Sequence, residues 1–74
     1  MIQLLNRLKQ HRENSGLTQA RLAELVDVSR KTVNTVENGI FVPSTILALR
    51  LAGALGTTVE DLFYLSNETS LPKT

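Results

Sequence analysis

The chain has 74 residues, no cysteine and one histidine, and its eight basic and seven acidic side chains leave a net charge of +1. This length allows one small domain, and the lack of cysteine excludes disulfides and thiolate metal sites, so we expect neither a metal nor a cofactor. No apolar run approaches the roughly 20 residues that span a bilayer, and the N-terminus lacks a signal peptide's apolar segment, so we expect a soluble, cytoplasmic protein without membrane contact.

Five helices are predicted, separated by short connections. The first is expected over residues 2–14, because Leu5 and Leu8 fall on one face and Gly16 suits a left-handed helix end. The second begins at Thr18, whose hydroxyl can cap a helix. Its inward-facing residues are expected to be Leu22, Ala23 and Val26.

The third helix is expected over residues 29–39, with Val33 and Val36 as its only strongly apolar residues. The fourth begins at Ser44, where STILALRLAGALG repeats apolar residues so densely that it should form the centre of the core. The fifth is a turn or two within TVEDLFYL, capped by Thr58.

These elements define an all-α domain over residues 1–65, followed by a polar tail at residues 66–74. No segment shows the sustained alternation of a half-buried strand. Two interpretations of the C-terminal segment remain open. Either the tail is disordered, or FYLSNETSL forms a short strand that pairs with another chain at a dimer interface.

The third helix turns a polar face away from the core. At about 100° per residue, Val33 and Val36 point inward, whereas Lys31, Asn34 and Thr35 point outward. Lysine can bond to guanine, asparagine to adenine, and threonine offers a hydroxyl and a methyl group to base edges. Residues 1–31 also hold six basic against three acidic side chains, which suits a polyanion. The pattern alone leaves two interpretations equally open, a DNA-reading helix and an ordinary solvated helix surface.

The run LTQARLAELVDVSRKTVNTVENG, followed by PS, LALRLAGALG and VEDLF, resembles the Cro and phage-repressor type of helix-turn-helix, the Xre family of transcriptional regulators. The resemblance covers about residues 5–63, and its landmarks occur in order and at the right spacing. It implies a five-helix, lambda-repressor-like DNA-binding domain with the third helix as the recognition helix. It also implies a homodimer on a pseudo-palindromic operator in double-stranded DNA.

The resemblance assigns expected roles to single residues. Gln19 matches the glutamine that opens the second helix and binds a backbone phosphate in this family. The expected base contacts are Arg30, Lys31, Asn34 and Thr35. The expected contacts to the sugar-phosphate backbone are Thr18, Gln19, Ser29, Thr32, Asn38 and Gly39.

Glu37 requires a partner, because an acid beside DNA is repelled unless it is neutralised. Arg12 lies where the family places a basic partner on the first helix, so we expect a partly buried Arg12–Glu37 ion pair that braces the recognition helix. Asp27 replaces the glycine usual between the second and third helices, and Asp tolerates the left-handed conformation better than most residues. In the apolar loop IFV, we expect Phe41 to pack against the core.

An enzyme is not expected, because the chain lacks a Ser/His/Asp set, a cysteine nucleophile and a phosphate-cradling glycine loop. The expected function is a sequence-specific transcriptional regulator, most simply a repressor. The expected dimer interface comprises Ile46, Phe63, Tyr64 and Leu65. The alternative is an antitoxin-like or bridging subunit that mainly binds another, unidentified protein, since the C-terminal part is acidic and apolar.

Overall fold

The computed structural model describes residues 2–66, which form five helices and a two-stranded antiparallel sheet. The five predicted helices are confirmed, and the sheet is an addition that joins the two ends of the domain. In chain order the elements are β1 (Leu4–Asn6), α1 (Leu8–Asn14), α2 (Gln19–Val26), α3 (Arg30–Glu37), α4 (Thr45–Ala54), α5 (Val59–Leu62) and β2 (Phe63–Leu65).

Four of the helices begin at a serine or threonine whose side-chain oxygen accepts the backbone N–H three residues later. The caps are Thr18, Ser29, Ser44 and Thr58, which accept from Arg21, Thr32, Leu47 and Asp61. Each cap satisfies an N–H group that has no partner within the helix, and such a cap typically contributes about 1 kcal/mol. The predicted starts of the second to fifth helices are therefore confirmed.

The turn between α2 and α3 depends on Asp27, whose backbone is left-handed at φ 58° and ψ 49°. The N–H groups of Asp27 and Val28 bond back to the carbonyls of Glu24 and Ala23, which ends α2. This left-handed residue reverses the chain within three residues, so α3 can pack directly on α2. The predicted tolerance of Asp for this conformation is confirmed.

The core is a single apolar cluster to which all five helices and β2 contribute. α2 packs against both α3 and α4, and α5 packs against α4. The fully buried large side chains are Leu8, Leu22, Val26, Val33, Val36, Leu51 and Leu62. Because α3 contributes only its two valines, apolar packing alone holds it weakly.

The first and last elements differ from the prediction. α1 begins at Leu8 and not at residue 2, because Leu4–Asn6 pairs as a strand with Phe63–Leu65 of the same chain. α5 likewise ends at Leu62, and Phe63 has extended geometry at φ −125° and ψ 140°. Of the two interpretations of the C-terminal segment, a short strand is present at Phe63–Leu65, and within residues 2–66 it pairs with the domain's own N-terminus. Backbone pairing has overridden the helical spacing of Leu5 and Leu8.

Asn6 connects the sheet to the recognition region. Its Oδ1 accepts the N–H of Leu8, the first residue of α1, at 3.0 Å, and its Nδ2 donates to the carbonyl of Val36 at 2.9 Å, near the end of α3. The N–H of Arg7 donates to the carbonyl of Leu62 at 2.8 Å. One short polar side chain therefore fixes both the start of α1 and its position against α3.

Ser66, the first residue of the predicted polar tail, is bonded to the N-terminal strand region. Its N–H donates to the carbonyl of Gln3 at 2.8 Å, and its Oγ accepts the N–H of Gln3 at 2.9 Å. The predicted polar tail otherwise lies outside the described residues. Within residues 2–66, no helix has the length and apolar character needed to cross a membrane.

Replacing Asn6 by alanine should destabilise the fold by about 1–2 kcal/mol, because it removes two hydrogen bonds and leaves the Leu8 N–H and the Val36 carbonyl without these partners. Urea unfolding followed by circular dichroism measures this loss. Asn14→Ala is the matched control, since Asn14 is exposed at the other end of α1. Equal unfolding midpoints for the two variants would show that Asn6 is not a structural link.

Candidate DNA-binding surface

α3 has one buried and one exposed face, in the orientation that the sequence predicts. Val33 and Val36 are each only 1% exposed, whereas Arg30, Lys31 and Asn34 are exposed on the opposite side. Thr32 and Thr35 are half-buried at the edges of that side. The four predicted base contacts therefore lie together on one turn and a half of helix that faces solvent.

The polar groups of this face differ in how far they are already paired. No hydrogen bond or ion pair within residues 2–66 engages the side chains of Arg30 and Lys31. Asn34 Oδ1 accepts from Asn38 Nδ2 at 3.2 Å, an exposed contact between successive turns that is easily exchanged. Thr35 is half-buried, and its Oγ1 already donates to the carbonyl of Thr32 at 3.0 Å.

The predicted backbone contacts cluster at the N-terminal ends of α2 and α3 and at the C-terminal end of α3. Thr18 and Ser29 are the caps of the two helices, and Ser29 Oγ also contacts Thr32 Oγ1 at 3.0 Å. Gly39 has φ 74°, so the chain leaves α3 through a left-handed turn that glycine adopts without strain. The N-terminal ends of α2 and α3 each carry the partial positive charge of a helix dipole.

A buried polar network holds α3 against α1 and α2. Arg12 Nε lies 2.6 Å from Glu37 Oε2, and the side chains of the two residues are 9% and 3% exposed. A second guanidinium nitrogen donates to Glu37 Oε1 at 3.3 Å, and a third bonds to the carbonyl of Leu17 at 2.8 Å. Gln19 Nε2 adds a bond of 3.0 Å to Glu37 Oε1. The expected ion pair is present in the structure, and Gln19 shares it.

The pairing fixes the charge of Arg12. Its hydrogen bond to Glu37 raises the pKa of the guanidinium above its ordinary value, although burial acts in the opposite direction. A raised folded-state pKa gives stability that is present below the unfolded pKa and is lost only as pH rises through the folded value. For an arginine that window is strongly alkaline, so the ion pair is intact throughout the neutral range.

The loop after α3 corrects one prediction. Phe41 does not pack in the core but is 47% exposed, and its neighbours Ile40 and Val42 are 76% and 65% exposed. The reason is the backbone, because the N–H groups of Ile40 and Phe41 both donate to the carbonyl of Thr35, at 2.9 and 3.2 Å. The loop is thereby held against the end of α3, and its side chains remain at the surface.

The residues predicted for a dimer interface differ in their exposure. Phe63 is 8% exposed and packs in the chain's own core. Tyr64 is half-buried, with the guanidinium carbon of Arg7 4.1 Å from the centre of its ring. Ile46 and Leu65 are exposed. Sequence reasoning missed Leu49, which is 60% exposed one helical turn after Ile46; the dense apolar repeat of α4 contained this signal.

α2 and α3 are joined by a tight turn, and α3 has a polar outward face. These two features define a helix-turn-helix protein. The sequence profile of a family described as Helix-turn-helix matches residues 8–62. The chain belongs to this family, in its Xre branch of DNA-binding transcriptional regulators.

Similar proteins include an uncharacterized HTH-type transcriptional regulator of Methanothermobacter thermautotrophicus, 47% identical over 82% of this chain and 90% of its own. The restriction-modification controller protein C.AhdI from Aeromonas hydrophila is 36% identical with a TM-score of 0.71, covering 74% of this chain and 83% of its own. The clp gene regulator ClgR from Corynebacterium glutamicum is 33% identical with a TM-score of 0.70. That match covers 73% of this chain and 57% of ClgR.

Replacing either Arg12 or Glu37 by alanine should cost about 3 kcal/mol, because each change leaves its buried partner without a counter-charge. For a domain of this size each kcal/mol lowers the melting temperature by about 4–8 °C, so thermal unfolding detects the loss easily. Arg21→Ala is the control, since its contact with Glu24 is 3.5 Å long and both side chains are more than half exposed. If all three variants had the same melting temperature, the ion pair would not stabilise the fold.

Proposed function

We propose that this regulator is a repressor that binds a pseudo-palindromic operator as a homodimer, with α3 in the major groove of each half-site. The observation that supports it is the exposed face of α3, where Arg30 and Lys31 stand unpaired within the described part of the chain. A repressor of this kind acts by occupying a promoter. Its site of action would be the cytoplasm, where its prokaryotic relatives keep their DNA.

In this proposal, four side chains of α3 read base edges. Arg30 and Lys31 bond to guanine O6 and N7, and both project from the first turn of the helix. Asn34 bonds to adenine N6 and N7 after releasing its exposed contact with Asn38. Thr35 presents its methyl group, because its hydroxyl is already bonded to the helix backbone.

Six groups hold the sugar-phosphate backbone on either side of the reading helix. Gln19 has one amide hydrogen committed to Glu37 and a second that is available to a phosphate oxygen. The N-terminal ends of α2 and α3 favour phosphates through their backbone N–H groups. The proposed backbone contacts are Thr18, Gln19, Ser29, Thr32, Asn38 and Gly39.

Dimerisation is proposed through α4 and the groove beside it. Ile46 and Leu49 are exposed on one face of α4, and Leu49 also lines an apolar groove between α4 and the sheet, bounded by Leu4 and Phe63. A second copy covering this groove would bury exposed apolar surface of α4, and a dimer on two adjacent half-sites holds its recognition helices about 34 Å apart. Doubling the contacts matters, because one domain of this size binds few phosphates.

Selection of bound fragments from random DNA should return a two-fold symmetric site. On that site Arg30→Ala and Lys31→Ala should each weaken binding about ten- to a hundredfold and relax the preference at one base pair per half-site, because a bidentate contact is lost. Fluorescence anisotropy measures the affinity. Arg50→Ala removes an equal charge on α4 and should leave the base preferences unchanged.

The dependence of DNA affinity on salt concentration distinguishes a residue that contacts bases from one that contacts only phosphate. A residue that contacts only phosphate lowers affinity for all sequences alike and reduces the slope of affinity against salt by about one. If neither variant changed the base preferences, the assignment of Arg30 and Lys31 to bases would be wrong. If no DNA were enriched, the protein would act through other partners.

Ile46→Glu should shift the protein from dimer to monomer, because a charge in the centre of an apolar interface has no partner there. Light scattering after size exclusion measures the mass, and operator binding should weaken in parallel. Leu25→Glu is the matched control, since Leu25 is an exposed leucine on α2 outside the proposed interface. A dimer that survives Ile46→Glu would place the interface elsewhere.

A further inference from the structure

Phe41 has a half-exposed ring on a backbone that is tied to the recognition helix. Two backbone hydrogen bonds to the carbonyl of Thr35, from Ile40 and Phe41, tie the loop to α3. Gly39, with φ 74°, supplies the reversal that makes both bonds possible. An aromatic side chain that is half exposed and yet held by its backbone is suited to a defined contact, since little conformational freedom is lost when it binds.

A surface depression of about 300 Å³ lies between this loop and α3. Its lining combines apolar residues of the loop with threonines of the helix, and of the described residues that line it none is acidic. These residues are Ser29, Lys31, Thr32, Thr35, Ile40 and Phe41. The depression is therefore apolar at its walls and positively charged at its rim.

The depression is continuous with the surface that reads bases. Lys31 and Thr35 are two of the proposed base contacts, and both line it. Whatever enters it when α3 lies in the major groove must be a group on the wall of that groove. The thymine methyl group is the apolar feature that base edges present there, and threonine methyl groups and phenylalanine are among its usual partners. The positive rim at Lys31 matches the phosphates that flank it.

We propose that Phe41 and Thr35 together form a receptor for the 5-methyl group of a thymine in each half-site, so that Phe41 is a specificity-determining residue outside the recognition helix. The inference rests on the proposed function, since it requires α3 in the major groove. It adds a requirement for thymine that hydrogen bonds from Arg30, Lys31 and Asn34 would not impose.

Uracil differs from thymine only by this methyl group, so replacing single thymines of the selected operator by uracil tests the proposal. We expect one thymine in each half-site to matter. Its replacement in one half-site should weaken binding by the wild-type protein about fourfold, and its replacement in both half-sites about 15-fold. Phe41→Ala should lose most of this preference for thymine over uracil, because only Thr35 then remains to contact the methyl group. Leu25→Ala, which removes an equally exposed apolar side chain on α2, should keep the wild-type ratio.

Each ratio compares two DNAs with one protein preparation, so partial unfolding of Phe41→Ala does not affect it. A thymine preference that persists in full in Phe41→Ala, or a wild-type protein indifferent to every thymine-to-uracil change, would overturn the inference while leaving DNA binding intact. A half-site without thymine would overturn it as well. Failure of the wild-type protein to bind any selected DNA would instead overturn the proposed function, and the inference with it.

Discussion

The buried Arg12–Glu37 ion pair is the interaction on which the rest of the structure depends. α3 has two buried valines and otherwise polar side chains, so it cannot be held by apolar packing alone. The guanidinium joins α1 to the end of α3 and to the carbonyl of Leu17, and Gln19 of α2 completes the carboxylate's bonds. Because both charges are fully partnered, their burial is tolerated, and removing one partner would strand the other.

Because the ion pair holds α3 in place, the outward face of this helix does not have to contribute to the core. The polar face of α3 is left for DNA, and the carboxylate of Glu37, which would repel phosphates, is neutralised within the fold. Neighbouring apolar side chains are exposed on α4 and in the loop after α3, in addition to single ones such as Leu25 on α2. The exposed face of α4 is where we propose that a second copy binds, and the loop lies beside the outward face of α3.

The sequence predicted what depends on local chemistry. Capping hydroxyls such as Thr18 and Ser29, the inward valines of α3 and the left-handed Asp27 are each specified by residues within one helical turn. The sheet was missed because Leu4–Asn6 and Phe63–Leu65 lie at opposite ends of the chain and are too short to show alternation. Phe41 was misplaced for a similar reason, since hydrophobicity predicts burial, whereas two backbone bonds to Thr35 decided its position. The resemblance supplied the ion pair, which no local pattern shows.

The central claim is that a braced α3 presents its outward face to DNA without rearranging. Nuclear magnetic resonance titration of the labelled protein with its selected operator tests this most directly. The account predicts that the largest changes in amide chemical shift fall on residues 29–35 and on the loop after α3. The side-chain N–H signals of Arg12 and Gln19 should show that both residues remain bonded to Glu37, as in the free protein. Shifts confined to α4 and the sheet, with α3 unaffected, would contradict it.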